Sequence, residues 1–188
     1  QTGIDNLRRE GFMDSSVKFK NRKGRLVVNS GDVMYDNSMY FSTIAEEKTN
    51  ILSQIGVKPN EFILTTIHRP NNTDAPERLT AILSSLLRIT ERDDITLVLP
   101  LHPRTKNLLD KNLDAKVYEE LTSSERVKII PPASFLEIIL LEKNARVVMT
   151  DSGGVQKESF FFERPCVILR PETEWVEIVE HGAGIIAD

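Results

Sequence analysis

Three polar stretches, each directly after an apolar run, hold the residues whose types and spacing suit chemistry. The first is Ser152-Gly153-Gly154, which follows Arg146-Val147-Val148-Met149 and Asp151. Residues 155–163 carry the apolar and acidic spacing of a helix, so the glycines read as the turn between a strand and that helix. The first N–H groups of a helix have no intrahelical partner and carry the positive end of its dipole, which suits a phosphate or diphosphate. Glycine lets such an anion approach the backbone with no Cβ in the way. Ser152 can cap the helix or give its hydroxyl to an anionic oxygen. Glu158, under two turns further along, can still face a ligand. A carboxylate there repels phosphate but accepts hydrogen bonds from a ribose diol; otherwise it is simply solvated.

The second stretch is His68-Arg69, after the apolar run 62–67. A histidine ending a strand is either a satisfied core residue or part of an anion site. Arg69 beside it favours the anion, because its fork suits phosphate or carboxylate. The third is His102-Pro103-Arg104, after the run 95–101; there a binding histidine and an ordinary loop histidine read alike. His181, in Glu180-His181-Gly182, suits the negative end of a helix and is given no chemistry. These histidines lack metal-ligand spacing, so no metal site is expected.

These residues need a scaffold that gathers them. Strand patterns run over 62–67, 95–101, 127–130, 146–149 and 165–169, and a last strand starts at Ile185-Ile186. Helices alternate with them. Residues 76–92 place Leu79, Ile82, Leu83, Leu86 and Leu87 on one face. Asn71 to Asp74 read as loop, with Thr73 or Asp74 as the cap. Residues 106–120 are helical with a break around Leu113-Asp114, and Ser134 caps a helix through Asn144. Phe135 reads as core. Upstream, 6–11 is a helix closed by Gly11, the basic run 18–25 a solvated loop, 26–29 a strand and 30–32 a turn. Residues 33–56 form one or two helices with Met34, Met39, Phe41, Ile44 and Ile51 in packing positions. Lys58-Pro59-Asn60 is a turn, and the domain boundary falls near it: 1–57 against 58–188. The alternation implies an α/β fold with a parallel sheet, right-handed crossovers and helices on its faces. Ligands of such sheets bind at the carboxyl ends of the strands, where His68, His102 and Ser152 all fall.

Composition narrows the partners. A 188-residue chain with 40% apolar and 28% charged residues is an ordinary core-forming protein. A net charge of −4 gives no electrostatic case for nucleic acid or an anionic membrane. No apolar run approaches the roughly 18 residues that span a bilayer. The single Cys166 sits in a strand pattern as a core residue. No signal peptide is visible, although the chain starts at Gln1, and a cytoplasmic setting is expected.

Four blocks, in order, carry a resemblance: Ile67-His68-Arg69, Leu101-His102-Pro103, the string from Thr150 to Glu158, and Arg170-Pro171-Glu172-Thr173-Glu174. Together they resemble the non-hydrolysing UDP-N-acetylglucosamine 2-epimerases, over nearly the whole chain. The family's enzymes are longer and fold as two Rossmann-like domains around a cleft, a GT-B-type arrangement. The resemblance implies that this chain is the tail of the first domain plus most of the second, the UDP-binding half. It implies inversion of carbon 2 by elimination and re-addition of UDP, with no nicotinamide, metal or other cofactor. It implies His68 as a catalytic group, and Arg69, Ser152, Gly153, Gly154 and Glu158 as UDP contacts. His102, with Arg69, matches positions where some members bind a second UDP-sugar as activator. A homodimer is implied for the full-length enzyme, and inactivity for this chain alone, because the proton-transferring carboxylates belong to the first domain.

Two departures stand out. The family's Glu after His-Arg is Asn71 here, preceded by Pro70, and its common Arg is Trp175. The second points to a branch acting on related UDP-sugars such as 2,3-diacetamido-glucuronates. A GT-B-type glycosyltransferase and a non-catalytic UDP-sugar sensor stay open as alternatives.

Overall fold

The computed structural model describes residues 2–11, 28–101 and 103–188. His102, the basic run 18–25 and Leu26-Val27 therefore lie outside the described residues. The chain forms two compact units, Gln1–Asp36 and Asn37–Asp188.

The first unit holds helix α1 (Thr2–Arg9), followed by Gly11 at a left-handed φ of 88°. Val28 and Asn29 are not strand, contrary to the pattern. Instead Asp32 accepts the N–H groups of Met34 and Tyr35 at 3.0 and 3.3 Å and so starts helix α2 (Val33–Lys48).

The second unit is one six-stranded, wholly parallel sheet. After α2 come α3 (Ile51–Ile55), β1 (Phe62–Thr66), α4 (Pro70–Thr73), α5 (Pro76–Arg92), β2 (Thr96–Pro100), α6 (Pro103–Asn112), α7 (Ala115–Ser123) and β3 (Val127–Ile130). The second half adds α8 (Phe135–Asn144), β4 (Val147–Thr150), α9 (Gly153–Phe161), β5 (Cys166–Ile168), α10 (Val176–Glu180) and β6 (Gly184–Ile186). The strand order is β3-β2-β1-β4-β5-β6. Both faces are covered, so the strands alternate between two cores. Ile63, Leu97, Leu99 and Met149 pack with Leu79, Leu83 and Leu121 from α5 and α7. Phe62, Leu64, Val98 and Val148 pack with Ile51, Ile139, Leu141 and Phe162 on the other face. The fold is the expected Rossmann-like α/β sheet with helices on both faces.

Four local expectations are corrected. Residues 70–73 form the short helix α4, because Pro70 supplies a preset φ at its first position; α5 then begins at Pro76 with no side-chain cap from Thr73 or Asp74. In α2 the buried residues are the small Ser38, Ser42 and Ala45, at spacings of four and three, which let the helix lie close. Met39 is instead 41% exposed. Phe135 is also not core: it is 52% exposed, with its ring edge-on to Phe41 at 5.2 Å. Finally, α9 starts at Gly153, so both glycines lie within its first turn rather than before it.

Candidate active-site crevice

The chain builds the sheet outward from β1 through β2 to β3, then crosses to β1's other side with β4. That reversal opens a crevice at the carboxyl ends of β1 and β4. The two strand ends are tied in register, Thr66 against Thr150, with their hydroxyls 2.6 Å apart. His68 and Ser152, far apart in sequence, follow those two ends.

Asp151 holds the crevice together. It is fully buried. Its carboxylate accepts the backbone N–H of His68 at 3.1 Å, that of Arg69 at 2.9 Å and the Asn72 side-chain amide at 3.0 Å. The His68 Nδ1 lies 3.0 Å from its other oxygen. Burial alone would raise the Asp151 pKa, but the bonds from His68, Arg69 and Asn72 outweigh it and hold the carboxyl below the usual range. The same bond raises the His68 pKa above 6.5 against partial burial, so the imidazole keeps its proton to higher pH. The His68 side chain is 53% exposed while pinned at this nitrogen. Asn72 in turn donates to Leu169 O at 3.0 Å and accepts from Arg78 Nε at 2.6 Å.

At the start of α9, Ser152 occupies the N-cap position but makes no capping bond with its side chain. Its N–H is taken by Thr150 Oγ1 at 2.9 Å. The loop after β5 folds over this start. Trp175 Nε1 donates to Gly153 O at 2.8 Å, and Lys157 stands 4.4 Å above the indole. Thr173 Oγ1 bonds Gln156 Oε1 at 2.6 Å. A Cβ on Gly153 would meet Glu174 Oε1 at 2.5 Å, so glycine here makes room for a carboxylate at the helix start. Glu174 also accepts from Arg170 at 2.6 Å and lies 3.7 Å from Arg69. Arg69, Gly153 and Glu174 are thus brought to one place. Burial would raise the Glu174 pKa, but bonding to its own backbone and to Arg170 lowers it overall.

Glu158 lies further along α9, half-buried, and takes a hydrogen bond from Ser38 of α2; burial dominates and raises its pKa. Cys166 is a buried free thiol, pushed up to about 12 by burial, in keeping with a core role. His181 caps α10 with Nδ1 2.7 Å from Glu177 O. No group of three metal-ligating side chains occurs among the described residues, and no described helix is long and apolar enough to cross a membrane.

Sequence reasoning missed Asp151, Asn72, Arg170 and Glu174 as parts of this arrangement. The signals were an acid ending the strand directly before Ser-Gly-Gly, and an Arg and Glu four apart in the next strand's loop.

Comparison with known proteins gives this geometry a context. A family model described as UDP-N-acetylglucosamine 2-epimerase matches residues 3–188. A UDP-2,3-diacetamido-2,3-dideoxy-D-glucuronate 2-epimerase of Pseudomonas aeruginosa is 42% identical over 99% of this chain and 46% of its own length. A UDP-N-acetylglucosamine 2-epimerase homolog of Methanococcus maripaludis is 40% identical over 85% of this chain and 43% of its own. The structure of the Methanocaldococcus jannaschii UDP-GlcNAc 2-epimerase in complex with UDP-GlcNAc and UDP superposes with a TM-score of 0.78 at 35% identity, covering 98% of this chain and 47% of that one. The chain spans about half the length of the curated relatives it matches.

Proposed function

Because the chain belongs to the UDP-N-acetylglucosamine 2-epimerase family, we propose that it supplies the UDP-binding half of an enzyme that inverts carbon 2 of a UDP-linked 2-acetamido sugar, UDP-N-acetylglucosamine or a related one. The observation that carries this is the crevice itself: a glycine helix start after β4 beside a histidine and an arginine after β1. In this reading residues 58–188 are the UDP-binding domain and 1–57 belong to the first domain and its connection. The full-length enzyme is a cytoplasmic homodimer.

The reaction divides into two steps. A base removes the proton from carbon 2 while the C1–O bond breaks and its electron pair leaves on the β-phosphate of UDP, giving a 2-acetamidoglucal. UDP then returns to carbon 1 as a proton is delivered to the opposite face of carbon 2. The proton-transferring carboxylates come from the other domain. This chain holds the leaving group: α9 N–H groups of Gly153 and Gly154 and the Ser152 hydroxyl take the diphosphate, Arg69 adds a fork, and Glu158 takes the ribose hydroxyls. His68, whose hold on its proton Asp151 strengthens, stands where negative charge grows on UDP.

Incubating the full-length protein with its UDP-sugar in deuterated water tests this. Deuterium at carbon 2 without any acceptor is expected. Transfer that requires an acceptor would make the protein a glycosyltransferase, and binding without exchange would make it a sensor. His68→Asn, which cannot become cationic, should lower kcat by about 10- to 1000-fold with a smaller effect on affinity.

A further inference from the structure

The loop after β5, residues 170–175, is fastened to the first turn of α9 at three points. Trp175 is the first: its Nε1 donates to Gly153 O at 2.8 Å, and Lys157 Nζ lies 4.4 Å from the centre of its ring. Thr173 is the second: its hydroxyl donates to Gln156 Oε1 at 2.6 Å and accepts the Trp175 N–H at 3.0 Å. Gln156 is fully buried, yet its Nε2 has no hydrogen-bond partner among the described residues, so that amide grips the loop through one bond only. Glu174 is the third. Its Oε1 stands 2.5 Å from where a Cβ of Gly153 would be and 3.7 Å from Arg69 Nη2, while Oε2 accepts from Arg170 Nη1 at 2.6 Å. A carboxylate held against the first residue of a helix, between two guanidiniums, has the surroundings of a bound anion. It is not locked in: the Glu174 side chain is 46% exposed.

Resting on the reading that the α9 start takes the diphosphate, we propose that the diphosphate displaces Glu174, and that residues 170–175 are a latch that swings off the α9 start as UDP enters. Glu174 and the diphosphate carry the same sign of charge and seek the same partners, the positive end of α9 and the Arg69 fork. At contact distance their repulsion is little screened, so the two do not share the place. The diphosphate adds bonds to the α9 N–H groups and to His68; among the described residues Glu174 has neither. Little is broken in the exchange: the 3.7 Å approach to Arg69, one indole bond and one Thr173–Gln156 bond. The tightest pair, Arg170 with Glu174, lies within the loop and moves with it. Arg69 turns from the carboxylate to the phosphate. Glu174 therefore holds UDP affinity below what the crevice would otherwise give.

Calorimetry and tryptophan emission on the full-length protein decide it. Glu174→Gln keeps the shape without the charge and should bind UDP about three- to tenfold tighter than the unmodified protein, a gain that shrinks as salt rises. Uridine, which lacks the diphosphate, should bind both proteins alike. UDP should also change the emission of Trp175, the one tryptophan of this chain, by taking the indole from Gly153 and Lys157. That change is read as the difference between the unmodified protein and Trp175→Phe. A Glu174→Gln that binds UDP equally or more weakly overturns the proposal, because Glu174 would then not compete with the diphosphate or would hold the arginines on it. So does UDP binding that leaves Trp175 emission unchanged, because the latch would have stayed shut. UDP that binds no tighter than uridine overturns the diphosphate reading instead. If Glu174→Gln does not fold, the Trp175 signal in the unmodified protein still decides.

Discussion

Asp151 and Glu142 are both fully buried carboxyl groups, at either side of β4, and the fold treats them oppositely. Asp151 sits where two backbone N–H groups, an amide and an imidazole converge, and it stays ionised. Glu142, on α8, has neither oxygen in a hydrogen bond among the described residues. Burial, and then the nearby Glu158, push its pKa well above the usual value, so it keeps its proton to higher pH. Burial does not decide whether a carboxyl is charged; the donors aimed at it do. Asp151 organises the crevice, whereas Glu142 is a cost the core carries.

Removing the Asp151 charge should have the largest effect. Asp151→Asn places an amide among donors that need an acceptor, at about 3 kcal/mol or more. Its pH signature is specific. The Asp151 pKa is lowered on folding, so its contribution is present above the ordinary carboxylate range and lost as pH falls through the folded value. The His68 pKa is raised, so that contribution is full below 6.5 and lost as pH rises through the folded value. Denaturant unfolding across pH should show both slopes in the unmodified protein; in Asp151→Asn the slope above 6.5 should vanish and the acid slope should shrink to what Glu174 and Glu137 leave. A variant that keeps its stability and slopes would break the comparison at its stronger side.

Glu142→Met should move stability the other way, by a smaller amount. Methionine fills a similar volume with no group to desolvate. The Glu142 pKa is raised on folding, so the native state is favoured below the ordinary value near 4.5 and loses ground as pH rises above it, towards the folded pKa. The substitution should therefore stabilise by roughly 1–2 kcal/mol at neutral pH and very little in acid. Equal destabilisation at both pH values would mean that Glu142 makes a contact that burial and hydrogen bonding do not describe.

Much of the scaffold was legible because its signals are local. The leucine spacing gives α5 as residues 76–92, and Ser134 with Glu137 three residues on marks the start of α8, where the capping box forms. Asp114 likewise caps α7 at the expected break. The strand ends carrying His68 and Ser152 were visible as apolar runs that stop. What was hidden depends on neighbours distant in sequence. Asp151 can receive the His68 and Arg69 N–H groups only because β4 lies beside β1, and no local pattern states that pairing. Phe135 looked like core by type, but it opens α8 with half of its surface in solvent and the Phe41 ring edge-on to it, while the helix's core contacts come from Ile139 and Leu141. The buried face of α2 was misread because Ser38, Ser42 and Ala45 pack by being small, which apolar spacing does not register.

Glu158 stands between the two carboxyls and gives the smallest and most diagnostic effect. It is half-buried on α9 with one side-chain donor, the hydroxyl of Ser38, opposing the rise that burial imposes. If donors decide the charge, removing that one should move Glu158 towards the behaviour of Glu142. Ser38→Ala deletes the hydroxyl and leaves a side chain of suitable size for the close approach of α2. The Glu158 pKa should then rise further, since a donor that opposes the effect of burial is lost. The consequence for the proposed ribose contact follows from its sign. Only the ionised carboxylate accepts both hydroxyls, so UDP affinity should climb as pH rises through the Glu158 pKa. In Ser38→Ala that climb should begin at higher pH. Titrating UDP binding in both proteins, with 2′,3′-dideoxy-UDP as the ligand lacking the diol, separates this from His68, whose loss of charge weakens both ligands alike as pH rises. A climb of the same midpoint in both proteins would mean that Ser38 does not set the charge of Glu158. A climb that persists with the dideoxy ligand would remove Glu158 from the ribose.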